Sequence, residues 1–359
     1  MLLRSLSRNA GLLARTVSLV GAVLLAAMID TSPRADVEAP ANDRSKSERA
    51  AGTQLTTAAA GFGPVPTNAV LPPESLEQVA ERIRYERWQI PEGDYAWPME
   101  DGSPVVETPR LDQLWHTVEP GETLRRLAKR YKLTYAQLEE FNPHLNLHDL
   151  ESGDRVLVWE REGDAPSVSY GGPDWGRLIN GEPLPDDDHY VVLYPHRTFG
   201  THYTISEVKR VLDNFAERYP EAEKLLVGDI SYRTGRLMNP HKSHRTGRDV
   251  DIAFPRTKKP PTHRRFHYLP DYQLETEQTL SLIKDFIDGG YVQYIFIDRW
   301  FQHLLREEAR EQGAPERWID RVFQYPDSDD RDAIVRHSPG HRTHMHIRFA
   351  CQPTDKRCN

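Results

Sequence analysis

Cysteine is almost missing from this chain of 359 residues: there are two, Cys351 and Cys358, both close to its far end. None lies near the N-terminal segment, so nothing there would carry a lipid. In an exported protein the two would pair, closing a small loop that adds about 2–3 kcal/mol in the chain-entropy picture. A basic excess is also missing. Lys and Arg number 46 against 54 Asp and Glu, for a net charge of -8, which argues against a nucleic-acid partner. No internal repeat is visible, and no G-x-S-x-G occurs. Ser243, between His241 and His244, lacks the strand–turn–helix setting of a nucleophilic serine, so an acyl-enzyme hydrolase is disfavoured. Nor is there an apolar run long enough to span a bilayer comfortably. The run Val17–Ile29 is too short, but with Arg4, Arg8 and Arg15 before it the segment suits a secretory signal. No clean small-x-small cleavage site follows, which leaves an uncleaved anchor open. Either way residues 1–29 imply export to the periplasm or cell envelope, with membrane contact only through this segment if it is retained.

Proline is plentiful, with 27 residues, more than one compact domain needs. Residues 30–110 are expected to be a mostly disordered linker. Their Ala-, Pro-, Ser- and charge-rich opening cannot bury enough surface to offset its ordering entropy. The run "ESLEQVAERIRYERW" could form a short helix within it. Residues 111–162 have the pattern of a compact βααβ unit. "LWHTV" alternates as a strand, and Leu124, Leu127, Ala128 and Tyr131 recur at helical spacing. Thr134 and Gln137 form a capping box for a second helix, and "SGDRVLVWE" supplies a closing strand. A Gly/Pro-rich link, "EREGDAPSVSYGGPDWG", leads to a larger domain over 174–353, with a tail over 354–359. There "TISEVKRVLDNFAERY", "LSLIKDFI" and "FQHLLREEAREQ" read as helices, the first with a capping box at Thr204 and Glu207. "KLLVGDI", "DVDIAF" and "YVQYIFI" read as strands, and the irregular alternation points to an α+β fold with an antiparallel sheet.

Imidazole and carboxylate are concentrated in two places, "NPHKSHRTGRDVDIAF" (239–254) and "GHRTHMHIRF" (340–349). On a strand, His344 and His346 share one face, as do Asp249 and Asp251 opposite Val250 and Ile252. His244 precedes Asp251, and Gly247 between them lets the chain turn back so that both can converge on one ion. Two imidazoles and a carboxylate suit zinc with a coordination place left for water, although ligand type alone leaves manganese and iron open. Asp249 is placed to orient a ligand imidazole or to stand as a solvated strand carboxylate.

Residues "HTVEPGETLRRLAKRYKLTYAQLEEFNPHLNLHDLESGDRVLV" resemble a LysM module, a family that binds N-acetylglucosamine-containing glycan. "SHRTGRDVDIAF" followed by "GHRTHMHIRFAC" resembles the penicillin-insensitive murein endopeptidases, a family of zinc peptidases. This resemblance implies Zn2+ held by His244, Asp251 and His346, with His344 as base and His241 and His341 lining the site. It also implies hydrolysis of D-alanyl–meso-diaminopimelyl cross-bridges. The expected partner is peptidoglycan, its glycan strands on the LysM module and its stem peptides at the zinc site. The alternatives are a zinc carboxypeptidase releasing terminal D-Ala and a non-catalytic wall-binding protein.

Overall fold

The structure is a computed structural model and describes residues 109–259, 264–355 and 357–359. The expected export segment over 1–29 and nearly all of the expected linker over 30–110 lie outside those residues. Among the described residues no helix is long and apolar enough to cross a membrane.

The small unit runs β1 (Gln113–Thr117), α1 (Leu124–Tyr131), α2 (Tyr135–Phe141) and β2 (Arg155–Glu160), the expected βααβ order. The two strands pair antiparallel. Thr123 caps α1 by accepting from the Arg126 amide, and the Thr134–Gln137 capping box of α2 forms in full. Both caps satisfy amide donors that an unfinished first turn would leave bare. Asn142, just past α2, is buried. Its Nδ2 donates to the carbonyls of Leu138 and Leu157, and its Oδ1 accepts from the Leu157 amide. One side chain thus fastens helix to strand over a core of Leu124, Leu127, Leu138, Val156 and Val158.

The larger domain opens within the stretch that reads as a link: β3 (Val168–Tyr170) pairs with β4 (Arg177–Ile179). Next come β5 (Glu182–Pro183), β6 (Tyr190–Val192), β7 (Phe199–Gly200), α3 (His202–Arg218), β8 (Leu225–Val227) and β9 (Asp249–Ala253). The remainder is α4 (Thr276–Asp288), β10 (Val292–Ile297), α5 (Arg299–Glu311), α6 (Glu316–Val322), β11 (Val335–His337) and β12 (His344–Phe349). Six strands form the main sheet in the order β11-β10-β12-β9-β8-β6. The fold is α+β, with the expected antiparallel pairing at the centre of the sheet. β10 with β12, β12 with β9 and β9 with β8 are antiparallel, while the outermost pairs, β10 with β11 and β6 with β8, are parallel.

The capping box expected at Thr204 and Glu207 does not form. Helix α3 begins at His202, and its cap is Thr201, whose hydroxyl accepts from the Thr204 amide. Thr204 and Glu207 are buried inside the helix, where Glu207 pairs with Arg210. The Thr201 hydroxyl reaches the bare amide first, so the later threonine is inside the helix and cannot cap it.

Val250 and Ile252 of β9, with Met345, Ile347 and Phe349 of β12, join Val208, Phe215, Ile283, Phe286, Phe301 and Leu305 of the helices in one core. Each such side chain contributes about 1.5–3 kcal/mol on burial. Since neighbours along a strand face opposite ways, the alternate residues Asp249, Asp251, His344, His346 and Arg348 stand on the other face of the sheet.

The small unit is seated on the larger domain. Leu178 and Phe199 complete its apolar core. Glu182, only 2% exposed, takes Arg110, Arg161 and His202 around a single carboxylate. The cysteines Cys351 and Cys358 form a disulfide. Beside them the buried Arg248 donates to Ser169 Oγ and to the carbonyls of Phe349 and Asn359.

Candidate active site

The register of β9 against β12 builds the centre of the site. Asp251 lies directly opposite His346, Asp249 opposite Arg348 and Ala253 opposite His344. His244 arrives from the loop between β8 and β9 through a left-handed backbone, φ 65°, and the chain turns again at Gly247, φ 72°. A Cβ at Gly247 would stand 2.8 Å from Leu178 Cδ1 and 3.0 Å from Gly200 Cα, so glycine is needed for close approach as well as for the turn. A non-glycine residue held at positive φ is a form of strain that clusters at functional sites.

The result is a tight triangle. His244 Nε2 lies 3.1 Å from His346 Nδ1 and 3.3 Å from Asp251 Oδ1, and His346 Nδ1 lies 3.1 Å from Asp251 Oδ1. Their hydrogen-bond partners assign the tautomers. His244 Nδ1–H donates to the Ile230 carbonyl at 3.1 Å, which leaves Nε2 with its lone pair. His346 Nε2–H donates to Asp249 Oδ1 at 3.0 Å, which turns Nδ1 toward the centre. Asp251 Oδ1 is buried and accepts no hydrogen bond among the described residues. Once His346 gives up its second proton, three electron-rich atoms face one another in a buried pocket, an arrangement that calls for a cation. With metal–ligand distances of about 2.0–2.1 Å, the edge of a tetrahedral zinc site is about 3.3 Å, so this donor set fits such an ion.

Around this centre stand the other histidines expected from the sequence. His344 Nε2 is 3.6 Å from Asp251 Oδ1, and its Nδ1 is 2.7 Å from the Thr343 hydroxyl. His241 packs on His244 with ring centroids 4.3 Å apart, and His241, His244 and Asp251 together also form a group able to hold a metal. His241 Nδ1 is 3.9 Å from Asp251 Oδ2, while its Nε2 is held at 2.7 Å by Asp229. His341 anchors Nδ1 on the carbonyls of Ser338 and Pro339 and sits 5.1 Å, ring to ring, from His344.

Four further residues shape the site. Asp229 binds both His241 and Arg197. Arg348 Nε donates to Asp249 Oδ1 at 2.7 Å, and the His244 amide donates to Asp249 Oδ2 at 3.1 Å. Phe266 stacks on His344, centroids 4.8 Å apart and planes 17° apart. Gly228 makes room for that ring, since a Cβ there would meet Phe266 at 2.6 Å. Only Arg348 had a usable signal, since it lies two residues past His346 on the same strand face.

Charge follows position. Burial favours a neutral Asp249, but Arg348 and the His346 hydrogen bond outweigh it and hold the carboxyl well below the usual range. Asp251 is likewise held low against burial, by His244 and His344. Burial presses His346 toward neutrality, yet the two carboxylates bracketing its ring raise it to about 9. Burial pushes His344 down to about 4 despite the attraction of Asp251, so it is neutral near pH 7. Burial also lowers His341, with His346 adding to the effect.

The comparisons with known proteins give the family. Residues 169–359, more than half the chain, match the family described as penicillin-insensitive murein endopeptidase. The chain belongs to that family. Residues 116–159 match the LysM domain. Similar curated proteins, each named penicillin-insensitive murein endopeptidase, occur in Salmonella paratyphi C (strain RKS4594) and Salmonella typhimurium (strain LT2). Both are 26% identical over 200 residues, which cover 51% of this chain and 66% of theirs.

Proposed function

We propose that this member of the penicillin-insensitive murein endopeptidase family is a zinc-dependent peptidoglycan hydrolase of the cell envelope or periplasm. It cleaves D-alanyl–meso-diaminopimelyl cross-bridges, and its LysM unit holds the glycan strand. The observation that supports this best is the triangle of His244 Nε2, Asp251 Oδ1 and His346 Nδ1, with edges of 3.1–3.3 Å, beside the neutral His344. Those three residues would hold Zn2+. His241 shares the pocket, but its 3.9 Å approach to Asp251 and its bond to Asp229 suit a flanking role better. Bound there, zinc would supply Lewis acidity toward water and the scissile carbonyl.

The protein's own groups supply the rest. His344, neutral at pH 7, takes a proton on Nε2 as water attacks the carbonyl carbon and returns it to the departing amine. Thr343 holds the opposite ring nitrogen, and the Phe266 stack fixes the ring plane. His241 and His341 flank the pocket with their N–H groups already given to Asp229 and to the Ser338 and Pro339 carbonyls, so polarising the carbonyl oxygen would fall to the zinc. No side chain is acylated in this scheme, so β-lactams do not inhibit.

The test is to incubate the purified protein with sacculi and analyse the muropeptides. Cross-linked dimers convert to monomers, and a chelator stops the conversion. His346→Ala and Asp251→Ala lose both metal and activity, whereas His344→Ala keeps metal and loses activity. Turnover by His344→Ala would refute its role as base. Release of alanine with dimers intact would identify a carboxypeptidase instead. Sacculus binding with every dimer left whole would identify a non-catalytic wall protein.

A further inference from the structure

Phe266 has two sides. One stacks on His344, and the other forms part of the wall of a cavity of about 530 Å³ that also touches Thr343 and Ala253. Ala253 is the residue paired with His344 across the two central strands. The cavity therefore begins where the histidine pocket ends, with one aromatic ring as the partition.

Arg256 lines this cavity and is partly buried. Among the described residues its side chain makes one hydrogen bond, from Nη2 to the His267 carbonyl at 3.3 Å. No carboxylate among the described residues reaches it within ion-pair distance. Two other basic side chains of the cavity, Arg218 and Lys259, are paired with Asp285 and Glu223. Burial lowers the Arg256 pKa. Because an arginine stays protonated at any physiological pH, Arg256 keeps a standing positive charge with no ion-pair partner among the described residues, although Glu221 and Glu275 also line the cavity. A partly desolvated guanidinium of this kind is satisfied by a planar carboxylate, which can accept two parallel N–H bonds.

We propose that Arg256 reads a carboxylate of the bound peptide, and so makes this cavity the subsite for the amine-donating side of the cross-bridge. The inference rests on the hydrolase reading above. In that substrate the diaminopimelyl residue supplies the scissile nitrogen and carries a carboxylate on the carbon next to it. A peptide placed with its scissile amide at His344 would run past Phe266 into the cavity and bring that carboxylate toward Arg256. Arg256 makes no contact with the reacting atoms in this scheme, so it positions and selects the substrate and takes no part in bond breaking.

The experiment compares two soluble cross-linked dimers, identical except that this carboxylate is free in one and amidated in the other. For the wild-type protein, amidation raises KM about 10–100-fold, the scale of a lost charge-assisted hydrogen bond, with kcat little changed. Arg256→Gln raises KM for the free acid to the amide's level and leaves the amide as it was. Arg256→Lys recovers part of the discrimination. Equal KM values of the wild-type protein for the two dimers, or equal impairment of both by Arg256→Gln, would overturn the proposal. The same comparison is made without turnover, as dissociation constants of the two dimers for the His344→Ala protein with and without Arg256→Gln. If the wild-type protein cuts neither dimer, selective binding of the free acid through Arg256 still upholds the carboxylate site and rejects only the hydrolase reading. Binding that ignores the carboxylate rejects the site.

Discussion

Asp249 never faces the centre of the pocket, yet it governs both imidazoles of the triangle. It accepts from His346 Nε2 and Arg348 Nε on one oxygen and from the His244 amide on the other. Asp249→Asn keeps the shape and removes the charge. The new amide can still accept from the His244 backbone on its oxygen, but its NH2 then confronts two N–H groups, those of His346 and Arg348. His346 must turn its ring or change tautomer, and either takes Nδ1 away from the position in which it faces Asp251. Loss of such an outer partner weakens metal binding about 10–100-fold, or about 1.4–2.7 kcal/mol. Competition with a chromophoric chelator measures it, with circular dichroism to confirm the fold. Wild-type zinc affinity in a folded Asp249→Asn protein would show that the carboxylate does not orient the ligand, and the assignment of His346 Nδ1 would fall with it.

Four further outcomes follow from the structure. The His346 ring, raised to about 9 by its two carboxylates, is protonated at pH 7 in metal-free protein, so zinc displaces about one proton per ion. Calorimetry in buffers of different ionisation enthalpy counts that proton, and a count of zero contradicts the assignment. The same raised pKa contributes about 3 kcal/mol to metal-free stability below the ordinary histidine value of 6.5. That contribution is lost as pH rises through about 9, so the melting temperature of metal-free protein falls over this window; a flat profile would speak against it. Gly228→Ala forces Phe266 off His344, because a Cβ would stand 2.6 Å from the ring. It cuts kcat while zinc content stays near one ion per chain, and unchanged kcat would make the stack irrelevant. Glu182→Ala leaves Arg110, Arg161 and His202 without their shared counter-ion and costs about 3 kcal/mol in thermal or urea unfolding. A loss below about 1 kcal/mol would mean that water replaces the carboxylate.

Period-2 alternation made the heart of the site legible. It placed His344 beside His346 and Asp249 beside Asp251, and it could do so because β9 and β12 lie at the sheet's centre with one face on the core. The α2 capping box was legible for a related reason, since its donors and acceptors are three residues apart. Other features depend on distance in space. Phe266 lies in an irregular segment and meets His344 only through the folded chain, so no spacing announces it. Asp229 sits in the strand-like run "KLLVGDI" but acquired a role only when His241 and Arg197 converged on it. The short edge strands β6 and β11 and helix α6 offered too few residues for a period to show. Thr204 misled for a local reason, since a second threonine three positions earlier was equally able to cap.

The guanidinium of Arg248 ties together parts of the chain that are remote in sequence. It sits next to Asp249 and also grips the backbone at Phe349 and Asn359, with the 351–358 disulfide closing the loop between them. The last residues thus act as a keystone behind the strand that carries both aspartates. Amide protons of β9 and of the closing segment would exchange with solvent in one shared opening event. A protease that trimmed the end of the chain, many residues from any histidine, would loosen the histidine pocket from behind.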